Sequence, residues 1–287
     1  MIAVLKHELS NYFHSLTAYI FSAFLLAFVG IGAMLYNIQS AVANFEYVLS
    51  FVCLGFVVII PILTMRVIAE ERKQKTDQLL YSLPIKTSEI VIGKYFALLS
   101  VYLVPLCIVA VYPAIFAQYG EVYLLTSYGS LLAFFIMGAA FIAIGTFISS
   151  LTDNQGFAAG ITIPVILLNY YSVTLAEYVS STAFGSLISL VVIALLLGLI
   201  VQYVTKNENA ACLTSIVLTA ATCIAYFIDS TKFEGLLPDI MTKLSLFERF
   251  YTFVNGVFDM TAIVYYVTVI IFFLFLSVQS LEKRRYN

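Results

Sequence analysis

The sequence predicts an all-α, polytopic membrane bundle of about eight spanning helices, and three observations carry that prediction. First, 62% of the 287 residues are hydrophobic and only 10% are charged, where a soluble domain carries about 25% charged residues. A water-soluble fold of this size has no means of hiding so much apolar surface, whereas lipid solvates an apolar exterior. Second, eight stretches free of Asp, Glu, Lys and Arg reach about the 20 residues that a helix needs to cross the hydrocarbon core: 9–45, 47–65, 95–120, 122–152, 154–176, 178–205, 209–228 and 260–281. Third, the basic residues are placed asymmetrically. With the N-terminus inside and eight spans threaded, 11 of the 14 Lys and Arg fall on the inner side, and only Lys232, Lys243 and Arg249 fall outside. That bias puts both termini in the cytoplasm. Residues 1–287 read as one membrane domain.

Taken in order, the chain opens with Met1 to Tyr19. Apolar residues at Ile2, Leu5, Leu9, Tyr12, Phe13, Leu16 and Tyr19 recur at helical spacing, with Lys6, Glu8, Ser10, Asn11 and His14 on much of the remainder. This pattern predicts an amphipathic helix lying in the inner interface. It lacks the apolar core and cleavage site of a secretory signal, so no cleavable leader is expected. Spans follow near 17–38 and 47–66.

The segment 66–94, RVIAEERKQKTDQLLYSLPIKTSEIVIGK, holds the densest cluster of charge. Glu70 to Lys73 continue the second span as a helix, Pro84 stops it, and Thr87 or Ser88 can cap the next. The segment reads either as a solvated loop or as a docking surface for a cytoplasmic partner. Further spans are expected near 92–117, 129–150, 157–175, 183–204 and 210–228. Gly156 and Gly160 form a Gly-x-x-x-Gly that serves either packing within the chain or self-association. Asn169 and Tyr170 lie toward the outer end of their span, where a substrate path or a plain interface anchor would use them. Residues 229–259 are too apolar for a linker and predict short helices at the outer leaflet, with Pro238 and Gly256 as breaks. A final span near 261–281 ends in Glu282-Lys283-Arg284-Arg285.

Several chemistries are missing. No Gly-x-x-x-x-Gly-Lys-Ser/Thr phosphate loop occurs, and neither His-Glu-x-x-His nor Gly-x-Ser-x-Gly is present. The four cysteines have no metal-binding spacing, and no metal, catalytic or directly bound cofactor site is expected. No Asp, Glu, Lys or Arg lies in the middle of a span, which argues against proton-coupled or voltage-driven transport. If the chain transports, its energy comes from a partner.

The stretch 61–94, PILTMRVIAEERKQKTDQLLYSLPIKTSEIVIGK, resembles a signature of ABC type-2 export permeases, most closely their gliding-motility branch. KHELSNYFHSLTAYIF near the start, AFIAIGTFISSLTDNQ and the C-terminal SLFERFYTFVNGVFDMTAIVYYVTVIIFFLFLSVQSLEKRR are similar to that branch in the same order. The resemblance implies a permease subunit of an exporter in a bacterial inner membrane, without its own ATPase. It would pair with a second copy or a sister permease and with two cytoplasmic ABC ATPase subunits that bring ATP and Mg. In such permeases the loop after the second span is the coupling helix that docks on the ATPase. By position that role falls on Glu70, Glu71, Arg72, Lys73, Thr76 and Leu80. Two departures stand out. The family usually has Gly before that Thr, where this chain has Lys75, and its core has six spans, so the pair near 183–204 and 210–228 looks inserted. The pair offers a site for an accessory membrane or envelope protein; the lipid bilayer is a further partner and nucleic acid is not. A non-transporting scaffold or sensor that recruits a cytoplasmic partner is the alternative reading.

Overall fold

The computed structural model describes residues 1–76, 85–205 and 208–286, and every regular element among them is helical. Helices are what lipid selects, because a helix satisfies its own backbone hydrogen bonds. In order they are α1 (Ile2–His14), α2 (Leu16–Gly32) continued by a π-helical turn (Ala33–Gln39), α3 (Glu46–Thr64), α4 (Ala69–Gln74), α5 (Thr87–Val109), α6 (Tyr112–Phe116), α7 (Leu124–Leu151), α8 (Gln155–Tyr178), α9 (Ala183–Thr205), α10 (Glu208–Ile228), a 3₁₀ turn (Ser230–Phe233), α11 (Leu236–Leu244), α12 (Leu246–Val254) and α13 (Met260–Tyr286). The polytopic helical fold class predicted from composition is therefore observed. Among the described residues six segments are long and apolar enough to cross a membrane: 16–39, 46–74, 87–116, 124–151, 155–178 and 260–285. The helices expected near 183–204 and 210–228 are present as α9 and α10, whose described apolar stretches, Ala183–Leu195 and Cys212–Ile228, are shorter.

The helices divide into two compact units, residues 1–168 with 249–287, and residues 169–248. In the first, α7 is the central helix and packs against α3, α5 and α13. Small residues make that possible. A Cβ at Gly138 would overlap the Tyr102 hydroxyl, and one at Gly145 would overlap Thr64. The Tyr102 hydroxyl donates to the Phe134 carbonyl at 2.9 Å and Tyr95 to that of Ala139 at 3.1 Å, so these buried phenols leave no polar orphan. Phe56, Phe134, Phe141 and Phe250 fill the rest of the core without exposure.

In the second unit α9 packs against α10 and α11. The segment expected as outer short helices folds into the 3₁₀ turn, α11 and α12. Pro238 is not a break there. It lies in the first turn of α11, where its missing N–H has no helical partner to lose. The special backbone is at Gly235 (φ 70) and at Gly256 (φ 82), just past α12.

Candidate functional site

The first unit carries a charged end, where α1, the stretch from Arg66 through α4, the start of α5, Asp153 and the end of α13 meet. Its foundation is α1. Most of the apolar stripe read from the sequence faces outward, with Ile2 and Leu16 about three-quarters exposed, at 74% and 75%, while its Tyr12 turns inward. The inward face is Val4, Glu8 and Tyr12. Glu8, expected on a wet polar face, is instead buried, and the outward stripe is what an interfacial helix presents to lipid. Ser15 adopts extended backbone (φ −97, ψ 157) and separates α1 from α2. α1 crosses α5 closely at Gly93, where a Cβ would come within 3.2 Å of the Met1 carbonyl oxygen and Val4.

Next to that crossing, Lys94 is 1% exposed. Its ammonium donates to Glu8 Oε1 at 2.7 Å, Glu71 Oε1 at 2.6 Å and the Val67 carbonyl at 3.1 Å. Three donors meet three acceptors, the condition under which a buried ammonium is tolerated. Arg66 forms a second network. Its guanidinium grips Glu70 through two bonds of 2.7 Å and donates to Thr17 Oγ1 at 2.8 Å. Between α1 and α4 opens a cavity of about 810 Å³, bordered by His7, Glu8, Asn11, Tyr12, Arg66, Glu70, Glu71, Gln74 and Lys94 among others. Burial first, and the neighbouring Glu8 carboxylate second, push the Tyr12 phenol well above the ordinary tyrosine range, so it stays a neutral donor.

The other face of α4 has its own partners. Arg72 is buried and its Nη1 lies 3.9 Å from Asp153 Oδ1, which also accepts from Arg284 Nη1 at 2.6 Å. The last helix is thus tied to the loop between α7 and α8, and α4 lies beside that tie.

Of the residues read from sequence as an ATPase-docking set, Glu70, Glu71 and Arg72 therefore point into networks of the chain itself, while Lys73 and Thr76 are exposed. Thr76 bonds back to the Glu71 carbonyl through its amide at 3.0 Å. Leu80, with Pro84, lies outside the described residues. Capping of α5 differs from expectation, because Lys86 is the N-cap and Thr87 is buried within the helix. Glu89 in its first turn instead meets the Met1 ammonium at 3.5 Å.

The remaining candidates lie elsewhere. Gly156 and Gly160 are on an outward face of α8, and a Cβ at Gly160 meets nothing within 4 Å among the described residues. In the second unit, the Asn169 amide holds the junction of α11 and α12. Its Oδ1 accepts from the Leu246 N–H at 3.0 Å and its Nδ2 donates to the Leu244 carbonyl at 3.3 Å. Tyr170 sits edge-on to Phe247 with ring centroids 5.0 Å apart.

Sequence reading missed Lys94 and Glu8. Lys94 counted only as one more inner-side cation, and the one available signal was an isolated Lys after Gly93 in an otherwise apolar run.

No curated protein matches the chain. The family model described as "ABC-2 family transporter protein" matches residues 4–228, from α1 through the end of α10. With its spanning helices and a match over more than half its length, this chain belongs to the ABC-2 family of transporter proteins.

Proposed function

We propose that the chain is the transmembrane permease subunit of an ATP-driven exporter in a bacterial inner membrane, with both termini in the cytoplasm and a separate ABC ATPase docked on its charged end. The observation that carries this reading is the charged end itself. α1 and α4 flank an open cavity with charged side chains at its border, and Lys73 and Thr76 are exposed to solvent. The sequence has no phosphate loop of its own, so the reading assigns ATP and Mg to two copies of the partner. Glu70, Glu71, Arg72, Lys73, Thr76 and Leu80 form the proposed coupling set, with the first three giving α4 a fixed orientation and Lys73 and Thr76 offering contact.

Residues 1–287 act as one permease domain in this reading, of the gliding-motility type that the sequence resembles. A second copy or a sister permease completes it. The open face at Gly156 and Gly160 is the proposed self-association surface, since close helix approach in lipid uses such residues. Asn169 and Tyr170 remain the proposed contacts of the substrate path, and cargo contact at Asn169 entails releasing its bonds to residues 244 and 246. The pair α9–α10 is proposed to meet an accessory membrane or envelope protein.

The test is ATP hydrolysis in nanodiscs by the chain alone and with the ATPase encoded beside it. Silence alone and vanadate-sensitive turnover in the complex support the permease. Absence of both co-purification and turnover overturns it and leaves the scaffold reading.

A further inference from the structure

We propose that Lys94 is a positioning residue: its ammonium, shared between Glu8 of α1 and Glu71 of α4, makes α1, α4 and α5 move as one body. The inference rests on the reading that an ATPase docks on this end, and adds to it the side chain that carries a displacement of α4 into a spanning helix.

Three observations lead there. α4 is six residues long and follows the turn Met65–Ile68, so it is short and set off from α3. A cavity of about 810 Å³ opens between α1 and α4, so filled apolar packing does not join them across that gap. The Lys94 ammonium does, with bonds of 2.7 and 2.6 Å to the two carboxylates. These are charge-assisted hydrogen bonds, the short and strong class.

Burial is graded along the joint. The Lys94 side chain is 1% exposed, that of Glu8 11% and that of Glu71 27%. The end that a docking partner displaces is thus the wet end, and the end that belongs to a spanning helix is the dry one. Losing a carboxylate would leave the buried Lys94 charge poorly compensated, so α5 follows Glu71 instead of letting it go. Gly93 supports this by bringing α1 against α5 one residue before Lys94.

A merely stabilising ion pair would also be buried, so the experiment separates the two roles. The permease–ATPase complex in nanodiscs is compared as wild type, Lys94→Met, Lys94→Arg and Glu8→Gln. The readouts are ATPase binding, and kcat and KM for ATP. The proposal expects Lys94→Met and Glu8→Gln to bind the ATPase within about threefold of wild type and to keep KM, while the permease-stimulated kcat falls about tenfold or more. Lys94→Arg, which keeps the charge and can hold both carboxylates, restores most of that kcat. Stimulated kcat within about twofold of wild type in a folded Lys94→Met or Glu8→Gln protein overturns it.

A second measurement needs no ATPase. Spin labels at the exposed positions Lys6 and Lys73 report the α1–α4 distance in the permease alone. A narrow distribution in wild type that broadens in Glu8→Gln supports the joint, and one that stays narrow overturns it. If wild type itself shows no stimulation, the docking reading fails, and the label distances still decide whether the three helices are joined.

Discussion

Lys75 ends α4 with left-handed backbone, φ 58 and ψ 20, a conformation that costs a residue with a Cβ roughly 1–2 kcal/mol and glycine almost nothing. The Gly that the resembled family places here is explained by that dihedral. Lys75→Gly is expected to raise stability by about 0.5–1 kcal/mol, the relief being partly offset by a freer unfolded chain. Thermal unfolding in detergent checks it, and a fall in stability would mean the Lys75 side chain contributes more than its backbone strain costs. A second single-residue effect is at the start of α13. Asp259 accepts from the Thr261 N–H at 2.8 Å and from its hydroxyl at 2.7 Å. The Thr261 hydroxyl above all, then its amide, holds the Asp259 carboxyl below the usual range. A lowered folded-state value means the carboxylate's contribution is complete above the ordinary value of about 3.9 and is lost as pH falls through the lower one. The difference in thermal midpoint between wild type and Asp259→Ala should therefore be constant near neutrality and shrink below about pH 4.

At the scale of the element, two glycine pairs on adjacent helices have opposite surroundings. Gly138 and Gly145 of α7 are sealed by Tyr102 and Thr64, whereas a Cβ at Gly160 of α8 meets nothing within 4 Å among the described residues. Gly145→Ala is expected to lower stability by roughly 1–3 kcal/mol through overpacking. Gly160→Ala should leave the isolated chain unchanged and, if α8 is a self-association face, weaken the dimer measured by cross-linking. Nothing in the two sequence patterns distinguishes them, because both are small residues four or seven apart and the difference lies in which helix arrives opposite. Helix positions, by contrast, were legible. Lipid leaves the backbone no alternative to a helix, so the helices placed within the charge-free runs lie within about five residues of those observed. The orientation of α1 was not legible: periodicity locates the apolar stripe but does not say whether lipid or protein covers it, and here Val4, Glu8 and Tyr12 face in. The charged end was half legible. The cluster 70–76 is visible as charge, but Glu8 and Lys94 are 86 residues apart, and a single sequence holds no signal for such a pairing.

For the whole molecule, membrane class and family were readable from composition and from the charged segment, while the division into units 1–168 with 249–287 and 169–248 was not. Apolar runs look alike on both sides of residue 168, and only tertiary contacts separate them. The division predicts separable local stability. Asn169→Ala removes the side-chain clasp on residues 244 and 246 and should cost about 1 kcal/mol, chiefly by leaving the part-buried Leu246 N–H without its partner. Hydrogen exchange should then quicken around 244–246, while amides of α7 in the other unit keep their protection. Equal loss in both units would contradict the independence of the two.

The Lys94 cluster also has a consequence for biosynthesis. The ribosome makes Glu8 first, Glu71 later, and their shared cation only with α5. Until that third span is inserted, two carboxylates wait at the membrane surface without their ammonium, and α1 has no partner at Gly93. The joint among α1, α4 and α5 thus cannot close until residue 94 has been made, so the N-terminal helices complete their packing in the order of synthesis only after the third span begins.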